Sequence, residues 1–555
     1  MSNDAREADV IVIGAGGAGL IAAVNARLGG ARVLVLAKSR AGYACCTAYA
    51  RGGFTLGIEG YAPERHRVVT WETGRQLSLP ALLETLTQDA PEAVPRLRDF
   101  GVRMELGRGR ASVAPYAERP LLAGAALTLP LVRYAREIGV LFRERVLATR
   151  LLVGEDGCAG VEVVDFRRGA VEELRAGAVV VATGGAGAIY GRTDNPRTTT
   201  GDGYRLLAAA GAPLLDMEFV QFYPLGFADP GVPPYFLELG VTDEIGLSNG
   251  RGERFWPGLL SAWGVRSGRE ANLFARDRAA VAIAREVRAT GEVRVHFEEL
   301  PAPRWEDREY ARLRRFLPNG PAPARVAPTQ HYFTGGVPIS ADGETPLPGV
   351  YACGEVAGGI DGASRVGGNA FSSLAVFGRR AGRAAARWAR SESRGAWTAH
   401  SWLRNGWTRG EGASTLLTDA TAGSAKAKMA RWAEGGRLDP DEARRQVNAI
   451  ADAALGPLRD EAGLRQADRQ LGELQAELAG LSVSGTAQWQ AALEAENLLF
   501  VARVVTSAAL ARAESRGVHF REDHPTEDEA WRRHIALRRG HGDEIEVTLG
   551  AVEPD

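Results

Sequence analysis

Three places in this 555-residue chain carry residue types that suit chemistry. The first is "GASRVGGNAF" (362–371), where one guanidinium, Arg365, sits among five Gly and Ala residues. Glycines let a backbone bend sharply or approach a ligand closely. A permanently charged arginine in so tight a loop suits a ligand clamp better than a surface ion pair, because its planar fork bonds a carboxylate at two points. The second is "GAGGAG", in which Gly14, Gly16 and Gly19 are spaced G-x-G-x-x-G. There the first glycine makes a turn, the second admits a pyrophosphate, and the third lets helix pack on strand. The phosphates would sit at the helix N-terminus, where free N–H groups and the dipole favour anions. The third is "ATGGAG" (182–187), at the end of a buried strand pattern. The four cysteines (Cys45, Cys46, Cys158 and Cys353) include no C-x-x-C pair, so neither a zinc site nor an iron–sulfur cluster is readable in the chain.

Alternating strands and helices must position these residues. Residues 8–38 read as strand, glycine turn, Ala-rich helix and second strand (Arg32 to Leu36), the context the glycine motif needs. The acid expected at the end of that second strand is absent, and Ala37-Lys38-Ser39 stands there. Residues 80–150 read as helices. Short strands around "LLVGEDGCAGVEVVDF" turn at Asp156-Gly157 and lead into the strand before Ala182. A helix from Gly203 to Gly211 follows. Residues 225–330 are richer in Pro, Arg and Trp and read as an inserted domain with a polar helical end at 301–326. The apolar, glycine-rich texture resumes at 331, with a strand from Gly349 to Cys353 and a helix starting near Phe371. Residues 400–435 show no clear period. Asp439-Pro440 is an N-cap followed by a first helical position. Three helical segments then run to about residue 515, read as a bundle for packing and subunit docking.

The length calls for two to four domains. Hydrophobic residues at 45% and charged residues at 24% describe an ordinary soluble chain, and a net charge of -1 points away from nucleic acid. No basic leader and no membrane-length apolar run is apparent, so a cytoplasmic, reduced protein is expected.

Taken together, these motifs resemble the flavoprotein subunit of the succinate dehydrogenase/fumarate reductase family, whose relatives include L-aspartate oxidase. The resemblance runs from residue 8 to about 535 and rests on "RGG" (51–53), "ATGGAG", "NPRTTTGDG", "GAPLLDMEFVQFYP", "NGRGERF", "FARD", "HYFTGGV", "YACGEV", "GASRVGGN" and "ESRGVHFREDHP". It implies an α/β fold: a Rossmann-like FAD-binding domain (1–224 and 331–395), an inserted α+β capping domain (225–330), a helical domain (396–515) and a C-terminal segment (516–555). In that family a hydride passes between flavin N5 and one alkene carbon, and a proton goes to or from the other. The resemblance makes Arg365 and His331 the clamp on one substrate carboxylate, Arg276 the proton donor and Glu238 its relay. It also places Gly14, Gly16, Gly19, Lys38, Gly52, Gly53, Ala182, Thr183, Gly184, Asp202, Glu355 and Asn369 around FAD.

Four positions depart from the family pattern. Cys46 stands where membrane-bound members attach FAD to a histidine, so noncovalent FAD is expected. Tyr223 replaces the histidine of "QFHP". Leu237 replaces a threonine, and Val241 falls where a relay arginine is usual. Tyr223 and Leu237 would both contact the second carboxylate. The expected activity is reduction of an α,β-unsaturated carboxylate, with fumarate leading and a non-fumarate enoate or L-aspartate oxidation as alternatives. "RVGGN" favours the succinate/fumarate pattern over the oxidase. A noncatalytic electron-relay protein is a third reading, opposed by Arg276, His331 and Arg365. The resemblance implies an iron–sulfur partner subunit, or a soluble electron donor, and membrane association through partners.

Overall fold

The computed structural model describes residues 7–114, 123–154, 157–317, 320–391, 407–416, 424–433, 435–478, 480–539 and 544–551. Its central sheet runs in the order Leu141–Glu144, Val33–Ala37, Glu7–Ile13, Ala170–Val181, Gly157–Asp165 and Val146–Gly154. Ala170–Val181 changes partners along its length. Its first half is antiparallel to Gly157–Asp165, and its second half lies parallel between Glu7–Ile13 and Val350–Ala352. The central parallel strands read "VIVI", "VLVL" and "VVV" and are buried throughout, as strands covered on both faces must be, whereas the edge strand Leu141–Glu144 is partly exposed. The helices Gly17–Leu28 and Asn369–Arg390 cross over this sheet at small residues: a Cβ on Gly382 would lie 2.2 Å from the Ala22 carbonyl oxygen.

The helical reading of 80–150 holds only in part. Pro80–Ala93 and Ala125–Glu137 are helices, but Met104–Gly107 and Arg110–Val113 form a hairpin that pairs with Gly53–Thr55. The alternation in Arg110–Val113, exposed then buried, is the strand signal that the neighbouring helical periodicity obscured.

A second, antiparallel sheet has the order Phe236–Leu237, Val220–Phe227, Pro323–Phe333, Val293–His296 and Leu247–Asn249. It encloses its own apolar core, with Leu225, Phe227, Leu237, Phe297 and Val326, separate from the main core. The segment 301–326 is less helical than its polarity suggests. It makes short helical turns (Ala302–Glu306, Arg308–Leu313, Arg314–Phe316) before entering Pro323–Phe333.

Asp439 caps Pro440–Ala454, its side chain accepting from the N–H groups of Asp441 and Glu442. Glu461–Leu478 and Thr486–Ala511 complete three mutually packed helices. The chain end then turns back. Arg533–Arg539 pairs with Leu214–Leu215 and with Glu544–Ala551, which pairs in turn with Trp407–Leu416. Val518 N–H donates to the Ala363 carbonyl at 2.9 Å, bracing the loop that carries Arg365. Much of the segment without clear period, 400–406 and 417–423, lies outside the described residues, as does the Asp156 side of the expected turn.

Candidate active site

A cavity of about 750 Å³ lies between the glycine motifs and the second sheet. Gly14, Gly16, Lys38, Gly52, Gly53, Ala182, Thr183, Gly184, Asp202 and Glu355 line it, as do Tyr223, Glu238, Arg276, His331 and Arg365. Gly19 and Asn369 do not. Gly19 packs under the glycine turn, where a Cβ would lie 2.0 Å from the Gly14 carbonyl oxygen. Asn369 is buried and engages His66 Nε2 (2.8 Å) and Thr70 Oγ1 (3.1 Å) with its amide, so it supports the start of its helix instead.

One end of the cavity is built around Lys38. Its ammonium lies 2.8 Å from Asp202 and 3.1 Å from Glu494, and donates to Thr200 Oγ1 at 2.5 Å. Burial alone would lower the Lys38 pKa, but the two carboxylates outweigh it and hold it above the ordinary value. Asp202, the first residue of its helix, also accepts from Asn497 Nδ2 at 2.9 Å. The third bundle helix, Thr486–Ala511, thus supplies Glu494 and Asn497 to this end, beyond the packing and docking expected of it.

The other end is built around two arginines. Arg365 rides a loop between Gly362 (φ +62°) and Gly368 (φ +91°), where added Cβ atoms would lie 2.5 Å from Gly74 O and from Thr55 Oγ1. Its guanidinium is buried, lies over the Tyr332 ring at 4.2 Å and donates to the Val366 carbonyl at 3.3 Å. Its Nε has no partner, and it makes no ion pair among the described residues. Arg276 opens the helix Arg276–Thr290, and its guanidinium donates to the Arg365 carbonyl oxygen. Burial pushes the Arg276 pKa below its ordinary value, and the Arg365 charge adds to this.

His331 is the extra residue of a bulge. Gln221 pairs with Tyr332 and Phe222 with Gln330, which leaves His331 unmatched and re-aims its ring. Its Nδ1 lies 2.7 Å from Asp194 Oδ2. Tyr223 packs on Phe236 and donates its hydroxyl to Asn272 Oδ1 at 2.8 Å. Burial, with the Glu238 charge, pushes the Tyr223 phenol up to about 12. Two expectations are corrected here. Leu237 is buried in the core of the second sheet and does not line the cavity, because adjacent strand residues face opposite ways and Phe236 and Glu238 take the cavity side. Val241 is in that core as well. The arginine beside Glu238 is instead Arg51, whose Nη1 lies 2.8 Å from Glu238 Oε1.

A family profile described as FAD binding domain matches residues 9–371, and one described as Fumarate reductase flavoprotein C-term matches residues 444–554. The chain belongs to the fumarate reductase/succinate dehydrogenase flavoprotein family. It is 32% identical to a subunit of the fumarate reductase (CoM/CoB) of Methanothermobacter marburgensis, covering 97% of this chain and 98% of the relative. It is 33% identical to the L-aspartate oxidase of Streptomyces coelicolor, covering 96% and 91%. The fold matches an E. coli quinol fumarate reductase FrdA with a TM-score of 0.85 at 24% identity, over 99% of this chain and 97% of that one.

As a member of this family the chain is an FAD-dependent oxidoreductase. Its residues fit that cofactor. The helix Gly17–Leu28 starts on the cavity; Gly17 N–H donates to Thr47 Oγ1 at 3.2 Å, and the positive end of the helix dipole faces the cavity, where it favours an anion. A Cβ on Gly53 or Gly184 would have open space for 4 Å, so both backbones can be approached closely. Glu355 is buried, accepts from Phe333 N–H at 3.0 Å, and is pushed up to about 7 by burial. The Cys46 thiol donates toward Asn195 Oδ1 at 3.3 Å, and burial, then the Glu355 charge, keeps its pKa well above the ordinary range. No helix among the described residues is long and apolar enough to cross a membrane. Sequence reasoning missed Asp194, Asn272 and Arg51. Arg51 lies inside the quoted "RGG", Asp194 directly precedes "NPRTTTGDG" and Asn272 stands two residues before "FARD", so position in or beside a motif was the available signal.

Proposed function

We propose that the chain is the catalytic subunit of a reductase acting on the C=C bond of an unsaturated carboxylate, with fumarate the leading substrate. The observation that carries this is the buried, unpaired guanidinium of Arg365 beside that of Arg276. Among the described residues the buried carboxyls of Glu355 and Asp361 act on these charges only from beyond ion-pair distance, so an arriving anion is favoured. Arg365 would hold the substrate carboxylate at two points and draw electron density toward it, polarising the adjacent alkene. Bound FAD supplies the hydride. Arg276 would deliver the proton: an arginine is normally too weak an acid, and burial beside Arg365 moves it in the required direction. Glu238, half-exposed and held by Arg51, would return that proton from solvent. Cys46 keeps its proton, which fits noncovalent FAD.

The far end of the cavity supports a second reading. Tyr223 already donates to Asn272, and Arg51 is neutralised by Glu238, so a second carboxylate would have to share Arg276, which lies over the Tyr223 ring at 5.6 Å, with the first. An enoate with an uncharged far end fits this arrangement. Relatives named L-aspartate oxidase keep that activity as an alternative. Electrons would come from an iron–sulfur partner subunit or a soluble donor, and any membrane association through partners. The test is anaerobic oxidation of reduced viologen by the FAD-loaded protein with fumarate, with monocarboxylate enoates, and separately peroxide formation from aspartate in air. Turnover of fumarate supports the first reading. Turnover of monocarboxylates alone supports the second, and peroxide from aspartate without enoate turnover overturns both.

A further inference from the structure

We propose that Asp194 is a positioning residue that makes His331 a cationic hydrogen-bond donor toward the substrate carboxylate. The inference rests on the reading that the Arg365 end of the cavity receives a carboxylate.

An ionised carboxylate offers only acceptors, so the 2.7 Å contact between Asp194 Oδ2 and His331 Nδ1 puts a hydrogen on Nδ1. Two states remain for the other nitrogen. In neutral imidazole Nε2 carries a lone pair, which repels a carboxylate oxygen. In imidazolium Nε2 carries a hydrogen and donates to it. With a substrate carboxylate on the Nε2 side, one cation between two anions is the favourable arrangement and a lone pair facing the carboxylate is not.

The pair is built to hold this geometry. Asp194 Oδ1 accepts from Asn195 Nδ2 at 2.9 Å, and the same amide nitrogen donates to the His331 carbonyl at 2.9 Å, so Asn195 ties both residues together. Asp194 N–H donates to the Gln330 carbonyl at 3.1 Å, which pins the loop against the bulged strand. Asp194 and His331 both line the cavity. The edges of Tyr223 and Phe236 meet the His331 ring at centroid distances of 5.3 and 5.2 Å and limit its rotation. The other titratable groups around the pair are Glu355 and Cys46, both affected by the Asp194 charge, Tyr223 against the His331 ring, the Arg51–Glu238 pair beyond Phe236, and Arg365, Arg276 and Tyr332 across the cavity.

The test compares wild type with Asp194→Asn and Asp194→Ala in the FAD-loaded protein. Asparagine keeps an acceptor for Nδ1–H but removes the charge, whereas alanine removes both. The probe is malonate, a dicarboxylate with no CH–CH bond to oxidise, and its neutral counterpart malonamide. Binding is followed by flavin absorbance from pH 5 to 8.5. The expected result is malonate affinity weakened about tenfold or more in Asp194→Asn above pH 7. The gap between the two proteins should narrow toward pH 5. Malonamide binding should not change. Equal malonate affinity at every pH, or a loss of the same size at every pH and for both probes, overturns the role of Asp194 and leaves the proposed function standing. Failure of wild type to bind malonate at any pH overturns the carboxylate reading, and this inference with it.

Discussion

The cavity holds two buried cationic centres that are neutralised in opposite ways. Lys38 has carboxylates at 2.8 and 3.1 Å and a hydroxyl at 2.5 Å, all from the protein. Arg365 has one backbone carbonyl, an aromatic face and an Nε with no partner. Arg365 is buried and the Lys38 side chain is 12% exposed, so desolvation penalises both charges. The first centre is complete, and its charge is a strut between the cofactor domain and the helical bundle. The second is incomplete, and its charge is available to a ligand. Burial alone therefore does not mark a functional cation; within this cavity the absence of an ion pair does.

The largest expected effects fall on the unpaired arginines. Arg365→Gln should lower kcat/KM by about 10² to 10⁴, the loss of two charge-assisted bonds. Arg276→Gln should lower kcat by about 10² to 10⁴ with little change in substrate affinity, as removal of a proton donor does. Steady-state kinetics separate these two, and an Arg365→Gln enzyme with full activity would break the comparison.

Stability should respond in the opposite sense. Lys38→Met leaves Asp202 and Glu494 buried without their cation and should cost about 3–5 kcal/mol. Arg365→Leu removes a buried charge that makes no ion pair among the described residues, so its melting temperature should stay level or rise while activity is lost. Thermal unfolding of the two variants side by side checks both signs.

Glu355 sharpens the comparison through pH. Its folded pKa of about 7 lies above the ordinary 4.5, so the folded state binds the extra proton between those values. The stability this contributes is present below about pH 4.5 and lost as pH rises through about 7, on the order of 3 kcal/mol in all. Glu355→Gln should flatten that fall in a series of melts across pH 5–8. The smallest effect is expected at the far end: Tyr223→Phe removes one neutral hydrogen bond, about 1 kcal/mol, or roughly fivefold in kcat/KM for fumarate. A much larger loss would show that Tyr223 leaves Asn272 to hold a second carboxylate.

Local pattern was enough for the elements that carry their own signals. The glycine turn at Gly14, the buried strands, the Asp439 cap and the three bundle helices follow from short-range sterics, capping and periodicity, which act within one or two turns of chain. Local pattern misread 104–113, where a short hairpin lies among helices and depends on Gly53–Thr55 for pairing. It also identified Arg365 as unusual, because a charge among glycines is visible in ten residues.

Contacts across long stretches of chain could not be read that way. Leu237 turned away from the cavity because strand alternation was set by pairing with Leu225. Arg51 found Glu238 across 187 residues, and Asp194 found His331 across 137. Whether a buried charge is paired depends on which distant element folds against it. The chain order of the residues carries no trace of that until the sheets close: composition and spacing told which groups were present, and packing chose which of them met.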